Sequence, residues 1–192
     1  MAAKPGERKL QILQTVAEML ESPKGEKITT AALAARLEIS EAALYRHFAS
    51  KAQMFEGLIE FIEQTVFGLI NKISTEEPNG IKQIEGILSL LLAFPQRNRG
   101  MTRVLMGDAL VNENERLQAR INQLLDRIET TLKQSLRIAV SQGELPADTD
   151  AGAYANLLVS FVVGRWHQFA KSGFTRDPVA QLATQLRILL RK

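Results

Sequence analysis

Three side chains that can bind an anion, Tyr45, Arg46 and His47, follow one another in the segment SEAALYRHFASK, residues 40–51. A phenol, a guanidinium and an imidazole each donate hydrogen bonds, and the guanidinium also carries a permanent positive charge. Such a set of donors suits the phosphates and base edges of a nucleic acid. Their effect depends on the elements that would position these three residues.

The segment predicts a short helix that begins at Ser40 and ends near Phe48. At about 100° per residue, Leu44 and Phe48 share one face of that helix, and we expect this face to pack inward. The other face carries small or polar side chains, which are Ala42, Ala43 and Arg46, flanked by Tyr45 and His47. Small alanines would let the helix approach the floor of a major groove, with the tyrosine and the histidine near its phosphate walls.

A second short helix, AALAARL, precedes this one, and Thr29 or Thr30 is expected to cap its start. The two helices are separated by Glu38 and Ile39, which is the spacing of a helix-turn-helix. A solvated helix with a half-buried tyrosine and a surface histidine is the alternative that the spacing leaves open.

The predicted DNA contacts extend to both helix starts and to the next helix, which the Ser50 to Gln53 capping box begins. We expect Ala42 and Ala43 to contact thymine methyl groups and Lys51 to contact a phosphate. The complete predicted DNA-binding set is Thr29, Thr30, Ser40, Ala42, Ala43, Tyr45, Arg46, His47 and Lys51.

The rest of the chain predicts an all-α fold, because apolar residues recur at intervals of three and four positions. The alternation of apolar and polar residues that is typical of a β-strand is not sustained anywhere. Pro95 is expected to break or bend the fifth helix, and Pro178 to open the ninth. The nine predicted helices span about 7–22, 31–37, 40–48, 51–73, 81–94, 101–111, 114–142 and 150–172, with the last beginning at Pro178.

The amino-acid composition indicates the class of protein but does not identify a binding partner. The 192 residues are 45% hydrophobic and 23% charged, contain no cysteine and carry a net charge of +3, which predicts a globular, cytoplasmic protein without disulfides or thiolate metal sites. No apolar run approaches the length of a membrane span. Since His47 and His167 lie far apart and no catalytic motif is present, we expect neither an enzyme nor a cofactor.

The segment ITTAALAARLEISEAALYRHFASKAQMF resembles the DNA-binding domain of TetR-family proteins, whose Y-x-H-F and following lysine match Tyr45, His47, Phe48 and Lys51. The resemblance implies a TetR-like fold, with a helix-turn-helix domain at 1–52 and a helical C-terminal dimerisation and partner or ligand-binding domain at 53–192. It also implies a homodimer that binds palindromic double-stranded DNA. The eighth and ninth helices, including NLLVSFVVGRW and Gly164, would form the dimer interface.

A narrower resemblance, to the nucleoid occlusion branch of that family, is carried by SEAALYRHF, MFEGLIEFIE, RNRGMTRVLMGDAL and ERLQARINQLLDRIE. Members of this branch bind DNA and, while bound, block assembly of the division protein FtsZ over the nucleoid. The resemblance implies a groove between the fourth and fifth helices for the FtsZ C-terminal tail, with the matching positions Phe61, Leu90 and Arg97.

Four positions depart from this branch. Glu38 replaces a glycine of the turn, so a left-handed backbone there would cost about 1 kcal/mol. Leu69 and Ala93 replace an arginine and a glycine of the groove, and Pro95 is expected to end the fifth helix early. These departures leave two alternatives open: a ligand-responsive TetR-type repressor, and an interaction scaffold with a vestigial DNA motif.

Apolar residues at four-three-four spacing also mark the seventh helix. This pattern fits either a short intermolecular coiled coil or an ordinary core face, and its barely two heptads favour the core. The residues concerned are Leu117, Ile121, Leu124, Ile128 and Leu132.

Overall fold

A computed structural model describes residues 5–22, 28–111 and 113–190, and these residues form α-helices and one 3₁₀ turn without any β-strand. The all-α prediction is confirmed. Contacts divide the chain into two compact units, residues 1–62 with 98–121, and residues 63–97 with 122–192. The domain boundary between residues 52 and 53 stays a prediction. Over the described stretches, no helix is both long enough and apolar enough to cross a membrane.

The first unit contains the N-terminal helices and a returning segment. Its elements are α1 (Pro5–Leu20), α2 (Thr30–Arg36), α3 (Glu41–Tyr45), the start of α4 (Lys51–Glu76), α6 (Arg99–Leu105), a 3₁₀ turn (Asp108–Leu110) and the start of α7 (Glu115–Ser141). The apolar stripe of α1 is buried through Ile12 and Val16. Helix α6 lies directly against α1, since a Cβ on Gly100 would sit 1.9 Å from the Ala17 carbonyl oxygen. Only glycine permits this approach.

The second unit contains the remaining parts of α4 and α7 together with α5 (Gly80–Arg97), α8 (Ala151–Lys171) and α9 (Leu182–Leu189). Its core is close to fully buried and is built from large apolar side chains of these helices, including Ile70, Ile84, Ile87, Leu88, Leu132, Leu136, Leu158 and Trp166. A buried polar contact joins α7 to α5 in this core, where the Ser135 hydroxyl donates to the Gln83 side-chain carbonyl at 2.8 Å.

The apolar pattern of α7 belongs to the core of the chain. All five residues of the four-three-four pattern are at most 1% exposed, which confirms the core-face interpretation over the coiled coil: Leu117, Ile121, Leu124, Ile128 and Leu132. A side chain that is already buried within its own chain is not available to a second helix from another chain.

The prediction that Pro95 breaks the fifth helix is wrong, because α5 continues through Pro95 to Arg97. A proline inside a helix has no N–H to offer the carbonyl one turn earlier, which here is that of Leu91. The indole N–H of Trp166 donates to this same carbonyl at 2.7 Å. The hydrogen bond that the proline cannot make is therefore replaced from α8.

Three other predicted boundaries need correction. Helix α3 ends at Tyr45 rather than near Phe48, and the predicted sixth helix is divided into α6 and the 3₁₀ turn. The ninth helix begins at Leu182 rather than at Pro178. The Arg165 guanidinium holds this last segment in a turn, donating to the carbonyls of Asp177, Pro178 and Ala180 at 2.9–3.0 Å.

Candidate DNA-binding surface

The helix-turn-helix begins with two side-chain caps. The Thr29 hydroxyl accepts a hydrogen bond from the Ala32 N–H at 3.1 Å, and the Ser40 hydroxyl accepts one from the Ala43 N–H at 3.1 Å. Of the two threonines considered, Thr29 is thus the cap of α2. Accepting a bond occupies an oxygen lone pair and leaves the hydroxyl hydrogen free to donate. Both caps can therefore position a helix and still donate to a phosphate.

The turn between α2 and α3 contains a left-handed residue at the position where the family resemblance places a glycine. Glu38 has φ 54°, although it carries a side chain where glycine would be unstrained. Its N–H donates to the Ala35 carbonyl at 3.1 Å, and the Ile39 N–H donates to the Ala34 carbonyl at 3.0 Å. This pair of bonds is a Schellman motif, which ends α2 and redirects the chain into α3.

The faces of α3 are distributed as predicted. Leu44 is 0% and Phe48 7% exposed, so these two side chains anchor the segment in the first unit. The other face is accessible: Ala42, Tyr45 and Arg46 are exposed, and Ala43 and His47 are half-buried. Since α3 ends at Tyr45, the arginine and the histidine belong to the turn that follows it.

A carboxylate that the sequence analysis missed lies on this surface. The Thr30 hydroxyl donates to the Glu41 carboxylate at 2.7 Å, and the Tyr45 hydroxyl lies 3.5 Å from the Thr30 oxygen. Two residues predicted as separate phosphate donors, Thr30 and Tyr45, are thus joined by one short chain of contacts. The position of Glu41 in the first turn of α3, where a helix favours negative charge, is the one signal that could have drawn attention to it.

The start of α4 shows the predicted cap in modified form. The Ser50 hydroxyl accepts from the Gln53 N–H at 3.2 Å, while the Gln53 side chain accepts from the Ala49 N–H at 2.9 Å rather than from that of Ser50. The next residue, Lys51, forms an ion pair with Glu113. No pattern in the sequence could have predicted that pair, because the two residues are 62 positions apart.

The three predicted partner-binding residues are distributed over both units. In the first unit, Phe61 is 38% exposed. In the second unit, Leu90 is half-buried and Arg97 is exposed in the last turn of α5. That the three form one groove stays a prediction. Of the two residues that replace an arginine and a glycine of the groove in related proteins, Leu69 is 44% exposed and Ala93 is half-buried.

The described residues contain no cluster of three or more histidines, cysteines or acidic residues that could hold a metal ion. His167 is exposed on α8, while its neighbour Trp166 is buried and hydrogen-bonded as described above.

Two family models match the chain. Residues 17–58 match "Bacterial regulatory proteins, tetR family", and residues 79–192 match "Tetracyclin repressor-like, C-terminal domain" of the SlmA-like type. Among solved structures, the TetR-family transcriptional regulator PfmR from Thermus thermophilus has a TM-score of 0.77 at 21% identity, covering 94% of this chain and 97% of that one. At this sequence identity, the similarity to PfmR shows the fold alone.

Curated relatives are much more similar in sequence. The nucleoid occlusion factor SlmA of Alteromonas mediterranea is 50% identical over 184 residues, which are 96% of this chain and 94% of the relative. SlmA of Idiomarina loihiensis is 47% identical over 189 residues, 98% of this chain and 96% of the relative. These matches do not favour the ligand-responsive repressor. They show that the chain belongs to the TetR family and, within it, to the SlmA nucleoid occlusion factors, which are DNA-binding proteins rather than enzymes.

Proposed function

We propose that the chain binds a palindromic DNA site as a homodimer and, while bound, antagonises FtsZ assembly over the nucleoid. The observation that carries the DNA-binding part is the accessible α3 face, held by two capped helix starts and a buried Leu44. The identity of about half of all residues with SlmA proteins, over nearly the whole chain, supports the division-related part.

At the DNA, the side chains divide into two groups. Ala42 and Ala43 are small enough to approach thymine methyl groups in the major groove and so read sequence. The remaining members donate to phosphates and so fix the position of α3 without reading sequence. Among them, Thr30 can donate only after its hydroxyl hydrogen leaves the Glu41 carboxylate. These donors are Thr29, Thr30, Ser40, Tyr45, Arg46, His47 and Lys51.

Exposed apolar residues of α8 and α9 support the homodimer. Leu157 is 53% and Ile188 72% exposed, and a Cβ added to Gly164 would meet nothing within 4 Å in its own chain. A second copy covering these helices would remove the apolar surface from water. The dimer would also place two α3 helices about 34 Å apart, which is one turn of DNA.

For FtsZ, we propose that its C-terminal tail contacts Leu90 and Arg97 of α5, and that Phe61 of α4 is a separate contact residue. An exposed phenylalanine and a half-buried leucine offer apolar contacts, and an exposed arginine offers a charge to an acidic peptide. The continuity of α5 through Pro95 supports this proposal, because Arg97 is then a helical residue rather than part of a loop.

The test begins with selection of the preferred duplex from a random pool, followed by sedimentation of FtsZ polymers. We expect loss of polymer when the protein and its own duplex are present together, and little loss with either alone or with a scrambled duplex. Intact polymer together with tight palindrome binding would reject the FtsZ part. Equal, weak binding to all duplexes would favour an interaction scaffold with a vestigial motif.

The phosphate role of Lys51 has its own test. Replacement of Lys51 by alanine should weaken binding to every duplex alike and reduce the slope of log affinity against log salt by about one unit per contact. Binding titrations at several salt concentrations measure this slope. A slope equal to that of the wild type would remove Lys51 from the phosphate contacts.

A further inference from the structure

Lys51 is already engaged in the free protein. Its ammonium group pairs with the Glu113 carboxylate, and the two side chains are only 22% and 15% exposed. The ammonium also lies 5.7 Å from the centre of the Phe55 ring. A second ion pair of this unit, between Arg36 and Glu18, is longer at 3.8 Å, and its side chains are 56% and 62% exposed. The Lys51 pair is therefore the better shielded from water, and its charges attract each other more strongly.

Glu113 lies outside the helix-turn-helix, between the 3₁₀ turn and α7. Its backbone is fixed by an N–H bond to the Leu110 carbonyl at 2.9 Å. The carboxylate is thus held beside the first residue of α4 by a separate part of the first unit. Any phosphate that approaches Lys51 must approach this negative charge as well.

One ammonium cannot neutralise a carboxylate and a phosphate together, and the two anions repel each other at such short range. We propose that Glu113 is an intramolecular competitor of the DNA phosphate for Lys51, so that DNA binding requires exchange of the partner of this lysine. The inference rests on the proposed DNA-binding function and adds to it a residue that lowers affinity. Because a phosphate contact carries no sequence information, the competition weakens binding to all duplexes alike.

The first experiment compares Glu113→Gln with wild type on the selected duplex and on a scrambled one. With two copies per dimer, Glu113→Gln should bind both duplexes roughly fourfold more tightly, since release of a pair of this kind is worth about twofold per subunit. Glu115→Gln is the matched control. It removes one charge from an exposed residue two positions away and should change affinity less than about twofold.

The second experiment is a double-mutant cycle. Lys51→Ala should cost more affinity in the Glu113→Gln background than in the wild type, because the lysine there gives its full phosphate contact without losing a partner. Weaker binding by Glu113→Gln, or a smaller cost of Lys51→Ala in that background, would show that Glu113 positions the lysine and would overturn the proposal. Equal effects of Glu113→Gln and Glu115→Gln would also overturn it.

A measurement on the wild type tests the proposal without any variant, so its result does not depend on how the variants fold. If DNA takes Lys51 from Glu113, amide hydrogen exchange in the peptide around Glu113 should become faster on binding the duplex. Unchanged or slower exchange there contradicts the proposal. A wild type that fails to bind any duplex would instead reject the proposed function, so the two failures are distinguishable.

Discussion

Helices α3 and α8 begin in the same way and are stabilised differently. The Ser40 hydroxyl caps α3, and the Asp150 carboxylate caps α8 by accepting from the Gly152 and Ala153 N–H groups at 2.9 and 3.0 Å. Helix α3 has five residues and one buried side chain, that of Leu44, whereas α8 has 21 residues and seven buried ones. A helix as short as α3 does not form alone in water. Helix α3 therefore depends on the burial of Leu44, while its other side chains stay accessible or half-buried.

The largest effect is expected at the anchor of α3. Leu44→Ala should lower the free energy of unfolding of the protein by about 3 kcal/mol, because it removes a fully buried side chain and leaves a cavity. Urea unfolding followed by circular dichroism measures the change. Leu10→Ala, at a residue that is 47% exposed, is the control and should cost less than about 0.5 kcal/mol. A similar cost for both variants would show that Leu44 does not anchor α3.

The corresponding anchor of α8 is Trp166. Trp166→Phe should destabilise the protein by about 2 kcal/mol, because the Leu91 carbonyl then loses the indole donor in a buried site. Pro95→Ala would restore a helical N–H to that carbonyl, so Trp166→Phe should cost less in the Pro95→Ala background. Thermal or urea unfolding of the wild type, the two single variants and the double variant measures the coupling free energy between Trp166 and Pro95. Additive costs would contradict the replacement of the missing hydrogen bond by Trp166.

The cap of α3 should have a smaller effect on stability and a clear one on function. Ser40→Ala removes the acceptor for the Ala43 N–H and should cost about 1 kcal/mol. Ser40→Asp retains a capping oxygen and should preserve stability, yet weaken DNA binding because a carboxylate repels phosphate. Unfolding and binding titrations on both variants separate the two roles. Normal DNA binding by Ser40→Asp would place Ser40 away from the phosphates.

The contribution of the Asp150 cap of α8 to stability should depend on pH. Hydrogen bonds from the Ala153 and Gly152 N–H groups lower the pKa of Asp150 below its ordinary value. Because the pKa is lower in the folded state, the ionised carboxylate stabilises the folded protein at pH values above the ordinary pKa of an aspartate. This stabilisation is lost as the pH falls through the pKa of the folded state. The melting temperature of wild type minus that of Asp150→Asn should therefore be positive at pH 7 and shrink below about pH 4. A difference independent of pH would contradict the assignment.

Local features of the sequence predicted much of the DNA-binding surface. The Thr29 and Ser40 caps and the inward pair Leu44 and Phe48 each depend on residues within about one turn of the chain. Hydrogen bonds between near neighbours and the period of a helix determine such features. The predicted start of α9 failed because it depends on a distant residue, Arg165, which binds the carbonyls of the turn that precedes this helix.

Periodicity, capping residues and composition were enough to predict an all-α protein, an N-terminal helix-turn-helix and the outward side of α3. Two other features depend on long-range contacts: Pro95 lies inside a continuous helix, and Lys51 is paired with Glu113. The proline is accommodated because an indole 71 positions away along the chain reaches the Leu91 carbonyl, and the lysine is paired because a carboxylate 62 positions away is brought beside it. Periodicity and capping rules describe neighbours along the chain, whereas these partners become neighbours only when the chain has folded.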